Sequence, residues 1–182
     1  PRYCAAPSRG WRSVRRVSVT APFAGLIIAT GLERDPDRAQ MADEHLDHLI
    51  ALATLLGVHP LVVVHDTPVR VSEPARGLLM PRAARDEFSS LRLGLMQFAN
   101  AAVGAAIILP LEAYATPIEH LRALVTEQQR TGAPMVATAH EGVLGLPLFA
   151  ARDSWRELMT TIGGLDAVLR HYGGRVMAVE AE

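Results

Sequence analysis

Apolar residues in this chain fall into short unbroken runs, separated by stretches in which they recur every three or four positions. That alternation predicts strands followed by helices. The run Phe23–Ala29 is continuously apolar and is followed by Thr30-Gly31, as expected of a strand covered on both faces of a parallel sheet. A polar stretch from Leu32 to Gln40, carrying Asp35-Pro36-Asp37, separates it from a helix in which Leu46, Leu49, Ile50, Ala53 and Leu56 share a face; Gly57 supplies the stop. Leu61–Val64, rich in β-branched residues, reads as the second buried strand. Strand, helix and strand within about 40 residues make a βαβ unit.

The pattern then recurs. After a Pro-rich connection, Ser89-Ser90 precede a helical spacing of Leu91, Leu95 and Phe98, and Ala105–Leu109 is a third apolar strand. Thr116-Pro117-Ile118-Glu119 is a helix start: a hydroxyl to cap a free N–H, a proline in the first turn, a glutamate to reach back. That helix carries Ile118, Leu121, Leu124 and Val125 and ends at Gly132. Met135–Thr138 and Pro147–Ala150 are short strands, Asp153 can cap a helix with Trp155, Leu158 and Met159, and Gly163-Gly164 precede a last helix with Val168 and Leu169. Val176–Val179 is the final strand. The expected architecture is a three-layer α/β/α sandwich on a mostly parallel sheet, one domain over residues 21–182.

Composition narrows the function classes. Hydrophobic residues make up 49% of the 182 and charged ones 20%, a balance that supports one buried core. A formal net charge of -1 offers no general attraction for nucleic acid or anionic membrane. With Cys4 as the single cysteine, no intrachain disulfide or Cys-based metal site is expected. No apolar run reaches the roughly 20 residues that span a bilayer, and Pro1–Arg16 lacks the apolar core of a secretory signal; the expectation is a soluble, cytoplasmic protein. Residues 1–20 read as a basic arm, with Arg2, Arg9, Arg12, Arg15 and Arg16 beside Trp11. It is either a solvated tail or a docking element for nucleic acid or an acidic partner. Every basic side chain is arginine, so no lysine can contact a phosphate.

In open parallel sheets ligands bind beyond the carboxyl ends of the strands, which directs attention to the loops after Ala29, Val64 and Leu109. The first, Thr30 to Asp35, has one glycine and two carboxylates and is neither a P-loop nor a dinucleotide fingerprint. His45 and His48 lie three apart on a helix and could share a metal, or be surface histidines of an amphipathic helix. His65-Asp66 could orient an imidazole for acid–base work, or Asp66 could serve the turn before Thr67-Pro68. His140-Glu141-Gly142 reads as a turn.

Four segments, in this order and spacing, resemble the molybdenum-cofactor cytidylyl- and guanylyltransferases. These are Gly25-Leu-Ile-Ile-Ala-Thr-Gly31, Ser89-Ser-Leu-Arg-Leu-Gly-Leu95, Thr116-Pro-Ile-Glu-His-Leu121 and Gly142-Val-Leu-Gly-Leu-Pro147. The resemblance covers about Phe23 to Val179 and implies a Rossmann-like nucleotidyltransferase fold. It further implies transfer of a nucleoside monophosphate from CTP or GTP to the phosphate of molybdopterin, assisted by magnesium. Carried over by position, Ala29, Thr30, Gly31, Arg34, Ser89 and Ser90 would face the nucleotide.

The same comparison shows what has been replaced. The family's signature loop supplies backbone donors, an arginine and a lysine to the triphosphate; here only its opening Gly31 matches, with Glu33, Asp35, Asp37 and Gln40 at the serine, arginine, second glycine and lysine. At the aspartate-glutamine-proline turn, whose aspartate holds magnesium, stands Leu111-Glu112-Ala113. The strand-end alternation predicts that Glu112 points away from the site. The late metal carboxylate falls at Gly163-Gly164, with Asp166 two residues on. Glu112 and Asp166 are therefore the candidate metal ligands. Losing one charge-stabilising group typically costs on the order of 10²–10³ in rate. The expectation is a degraded transferase kept as a binding or accessory module for a nucleotide or molybdopterin-type ligand, a protein partner or a second copy. The alternative is a working enzyme that uses Arg34 or Arg38, Glu112 and Asp166.

Overall fold

The computed structural model describes residues 22–81, 87–161 and 163–181; the basic arm read over 1–20 lies outside them. Twelve regular elements are described: β1 (Phe23–Ala29), α1 (Pro36–Leu55), β2 (Leu61–His65), β3 (Arg76–Leu79), α2 (Glu87–Gln97), β4 (Ala105–Pro110), α3 (Ile118–Thr131), β5 (Met135–His140), β6 (Val143–Ala151), α4 (Trp155–Thr160), α5 (Gly164–Tyr172) and β7 (Val176–Glu180). The strands form one sheet in the order β3-β2-β1-β4-β6-β5-β7. Only β6 runs against its neighbours, β4 and β5. The other pairs are parallel.

The expected three-layer α/β/α fold is present. Successive residues of β1 point to opposite faces, so Leu26 and Ile28 join one buried cluster with α2, α4 and α5, while Ile27 and Ala29 join another with α1 and α3. Both faces are covered, which is why β1, β2 and β4 read as unbroken apolar runs rather than alternating ones. Among the described residues no helix is long and apolar enough to cross a membrane.

Four local expectations are corrected. The polar stretch after β1 is largely helix: α1 begins at Pro36, because Asp35 caps it, accepting from the Arg38 N–H at 3.1 Å, and Pro36 fits the first turn. The Pro-rich connection contains β3, a short edge strand whose mostly exposed residues carry no core periodicity. Thr116 makes no side-chain cap for α3, whose N-cap is Pro117. Asp153 lies in the one-turn 3-10 helix Arg152–Ser154 ahead of α4 and does not cap it.

The first turn of α3 is tied to the sheet instead. The Thr138 hydroxyl donates to the Pro147 carbonyl at 2.9 Å, so it accepts from His120 Nε2–H, also at 2.9 Å. This clasp sits at the irregularity between Ala137 and Thr138, where β5 changes register against β6.

Candidate functional site

From β1 the chain reaches β2 through α1 on one face of the sheet, and from β3 it reaches β4 through α2 on the other, so a crevice opens beyond the carboxyl end of β1, between β2 and β4. A cleft of about 610 Å³ occupies that place. Its floor is apolar and comes from the sheet (Ile28, Ile108, Leu148) and the start of α2 (Phe88, Leu91). Its rim is charged. Glu33, Asp66, Glu112 and Asp166 bring four carboxylates to the lining, against the two guanidiniums of Arg34 and Arg38.

The turn after β1 is built by three devices. Gly31 takes a left-handed conformation (φ 82, ψ 6), open to glycine without strain. Leu32 then drops into the core at 1% exposure and anchors the one-turn 3-10 helix Leu32–Arg34. Asp35 ends that turn by capping α1. Position 35, where the resemblance expects a phosphate-binding arginine, is thus a helix start.

Two contacts cross the cleft. The Gly31 N–H donates to Asp66 Oδ2 at 2.6 Å, joining the ends of β1 and β2. Arg38, from the first turn of α1, forms an ion pair with Glu112, in the one-turn 3-10 helix Leu111–Ala115 that follows β4. Arg38 Nε and Asp66 Oδ1 are buried without a hydrogen-bond partner among the described residues.

Of the residues proposed from sequence, Thr30, Gly31 and Arg34 line the cleft. Ala29 lies just behind them, fully buried in the α1/α3 cluster. Ser89 and Ser90 lie in α2, Ser90 fully buried; the cleft is lined by their neighbours Phe88 and Leu91 instead. Glu112 does face the cleft, contrary to the strand-end argument, because the chain leaves extended geometry after Pro110 and the 3-10 turn rotates residue 112 towards the opening. The same turn sends Leu111 into the core at 1% exposure. Asp166, in the first turn of α5, lines the cleft as well. Asp66, assigned from sequence to a turn or to an imidazole, instead holds the first loop; the only sequence signal was its place at a strand end.

The histidines find other uses. His65 Nδ1 faces the Thr67 carbonyl at 2.8 Å, and since a carbonyl only accepts, that nitrogen carries the hydrogen. His45 stacks on Tyr114 with ring centroids 3.5 Å apart, and His48 is exposed. Among the described residues no three His, Cys, Asp or Glu side chains group as metal ligands. At the candidate metal position one oxygen of Glu112 is engaged by Arg38, and the neighbouring position is a buried leucine.

No protein-family model and no curated protein matches the sequence. Solved structures do match in fold. Rv0371c from Mycobacterium tuberculosis superposes with a TM-score of 0.68 at 13% identity over 88% of each chain, and its manganese complex gives 0.66 at 14% identity. CMP:2-keto-3-deoxy-manno-octonic acid synthetase complexed with CTP gives 0.67 at 12% identity, covering 88% of this chain and 90% of that one. The 4-diphosphocytidyl-2C-methyl-D-erythritol synthase of Anaerococcus prevotii gives 0.67 at 9% identity, over 89% and 88%. The fold is nucleotidyltransferase-like.

Proposed function

We propose that this chain is a nucleotidyltransferase-like protein that has kept the cleft of its fold without efficient transfer chemistry, and that it serves in the cytoplasm as a binding or accessory module. The charge of the lining carries this reading: four carboxylates stand against two guanidiniums, and one of those, Arg38, is already paired with Glu112. A triphosphate entering such a cleft meets repulsion of roughly 2 kcal/mol per unit charge pair at about 8 Å, for an effective dielectric constant near 20. Transfer between two phosphorylated substrates needs the reverse field. The segments shared with the molybdenum-cofactor transferases support a molybdopterin-type ligand or a place in molybdenum-enzyme maturation, and a protein partner or second copy would fit an accessory role.

One observation favours a second reading. Glu112 and Asp166, more than 50 positions apart in sequence, line the same cleft. Magnesium is commonly held by one or two carboxylates together with substrate phosphates, so a nucleotide could bring the ion with it. Arg34 would then meet the phosphates of CTP or GTP, and the protein would be an active nucleotidyltransferase.

Calorimetric titration with CTP and GTP, with and without magnesium, separates the two when coupled to a pyrophosphate-release assay with molybdopterin as acceptor. The module reading expects no magnesium-dependent turnover. Magnesium-dependent binding of either nucleotide accompanied by pyrophosphate release would overturn it.

A further inference from the structure

We propose that Asp66 is a built-in anion that excludes phosphate from the Gly31 turn, and so determines which ligands the cleft accepts. The left-handed Gly31 presents its N–H at the carboxyl end of β1, at the mouth of the crevice, where a backbone amide is free to serve an anion. Here that amide is already taken: it donates to Asp66 Oδ2 at 2.6 Å, a charge-assisted hydrogen bond supplied by the chain itself. A phosphate oxygen would have to displace the carboxylate and also tolerate its charge at close range.

The other carboxylate oxygen strengthens the case. Asp66 Oδ1 is buried with no hydrogen-bond partner among the described residues, an arrangement that costs stability unless something in the cleft satisfies it. A fully ionised phosphate has only acceptors to offer, whereas a hydroxyl, amide or amino group could donate. Arg38, which lines the same cleft, is the complementary case: its Nε is a buried donor without a hydrogen-bond partner among the described residues. Together the two atoms suit an uncharged group that both accepts and donates, and they disfavour a phosphoryl group.

This inference rests on the binding-module reading, and its test is separable from the one above because it measures anion binding rather than turnover. Inorganic pyrophosphate and CTP are titrated into the full chain by calorimetry, in wild type, Asp66→Ala, Asp66→Asn and Asp166→Asn. Asp66→Ala frees the amide and removes the charge; Asp66→Asn removes the charge but leaves an acceptor for Gly31. Asp166→Asn removes one cleft charge elsewhere. Affinity for pyrophosphate is expected to rise roughly tenfold or more in Asp66→Ala, less in Asp66→Asn, and least in Asp166→Asn. The Gly31 amide resonance is expected to shift on adding pyrophosphate to Asp66→Ala and to stay in place in wild type. Equal gains from Asp66→Asn and Asp166→Asn would mean that general charge acts rather than this contact, and would overturn the proposal; so would unchanged anion affinity in Asp66→Ala. Should the alanine variant fail to fold, the comparison of the two asparagine variants decides alone.

Discussion

Gly94 offers a sharp test of how α2 is seated over the cleft. A Cβ built on it would lie 2.2 Å from Leu26 Cδ1 and 2.6 Å from Cδ2, against the roughly 3.5–4.0 Å of an ordinary carbon contact. Leu26 is fully buried, in one cluster with Leu91, Leu95 and Phe98, so it has no open side to retreat to. Overpacking of this kind costs about 1–3 kcal/mol. Glycine to alanine inside a helix returns about 1 kcal/mol of propensity. With a contact as short as this the packing cost belongs in the upper half of its range, and Gly94→Ala is expected to lose about 1–2 kcal/mol, or some 2–4 °C per kcal/mol in a domain of this size. Urea and thermal melts of wild type, Gly94→Ala, Leu26→Ala and the double variant measure it. Leu26→Ala alone should cost about 2–5 kcal/mol. In its background the added methyl no longer meets a Cδ atom, so Gly94→Ala should become neutral or stabilising, a coupling of about 2–3 kcal/mol. A Gly94→Ala protein as stable as wild type, or additive effects in the double variant, would refute the packing argument.

Asp35→Ala is expected to lower stability by about 1 kcal/mol through loss of the α1 cap, measured by urea denaturation. Asp35→Arg, which introduces the residue the resemblance to the molybdenum-cofactor transferases expects there, is expected to lose the same cap and to leave CTP affinity by calorimetry unimproved. Burial holds the His120 pKa below its ordinary 6.5. The folded state therefore binds its proton less readily than the unfolded chain, and the contribution of His120 is full above about pH 6.5 and is lost as pH falls from there through the folded pKa. Urea midpoints measured from pH 7.5 to 5 are expected to fall more steeply in wild type than in His120→Gln, which keeps a donor for Thr138 but does not titrate; parallel curves would sink the assignment.

The fold was legible where burial writes a pattern. β1, β2 and β4 lie under helices on both faces, so their residues had to be apolar without interruption, and α3 shows its core face through Leu121 and Leu124. β3 was not legible because an exposed edge strand has no face to mark. The early start of α1 was hidden for a related reason: its first turn stands at the cleft, and Asp35 looked like a broken binding motif rather than a helix cap. Position relative to strand ends and helix starts pointed to Thr30, Gly31, Arg34, Glu112 and Asp166, which all line the cleft. Ser89 and Ser90 are not among the lining residues, and a helical period fixes which residues share a face but not which way that face turns. Asp66 could be recognised only once β1 and β2 were adjacent, since its partner Gly31 is 35 residues away in sequence.

Several positions that differ from the resembled transferase pattern are structurally linked, and this bears on the reading proposed for the cleft. Leu111 is packed at 1% exposure beneath α1; an aspartate there would place an unpaired carboxylate in the core, at a cost of several kcal/mol. Glu112, the next residue, is turned outward by the same 3-10 geometry and meets Arg38, whose helix begins where it does because Asp35 caps it. Gly31 precedes that cap and gives its amide to Asp66. Asp35, Leu111 and Glu112 thus each have a local use in this chain, and an arginine at 35 or an aspartate at 111 would lose it. The linked contacts of Asp35, Arg38, Glu112, Gly31 and Asp66 fit the reading proposed above, a cleft arranged around its own carboxylates.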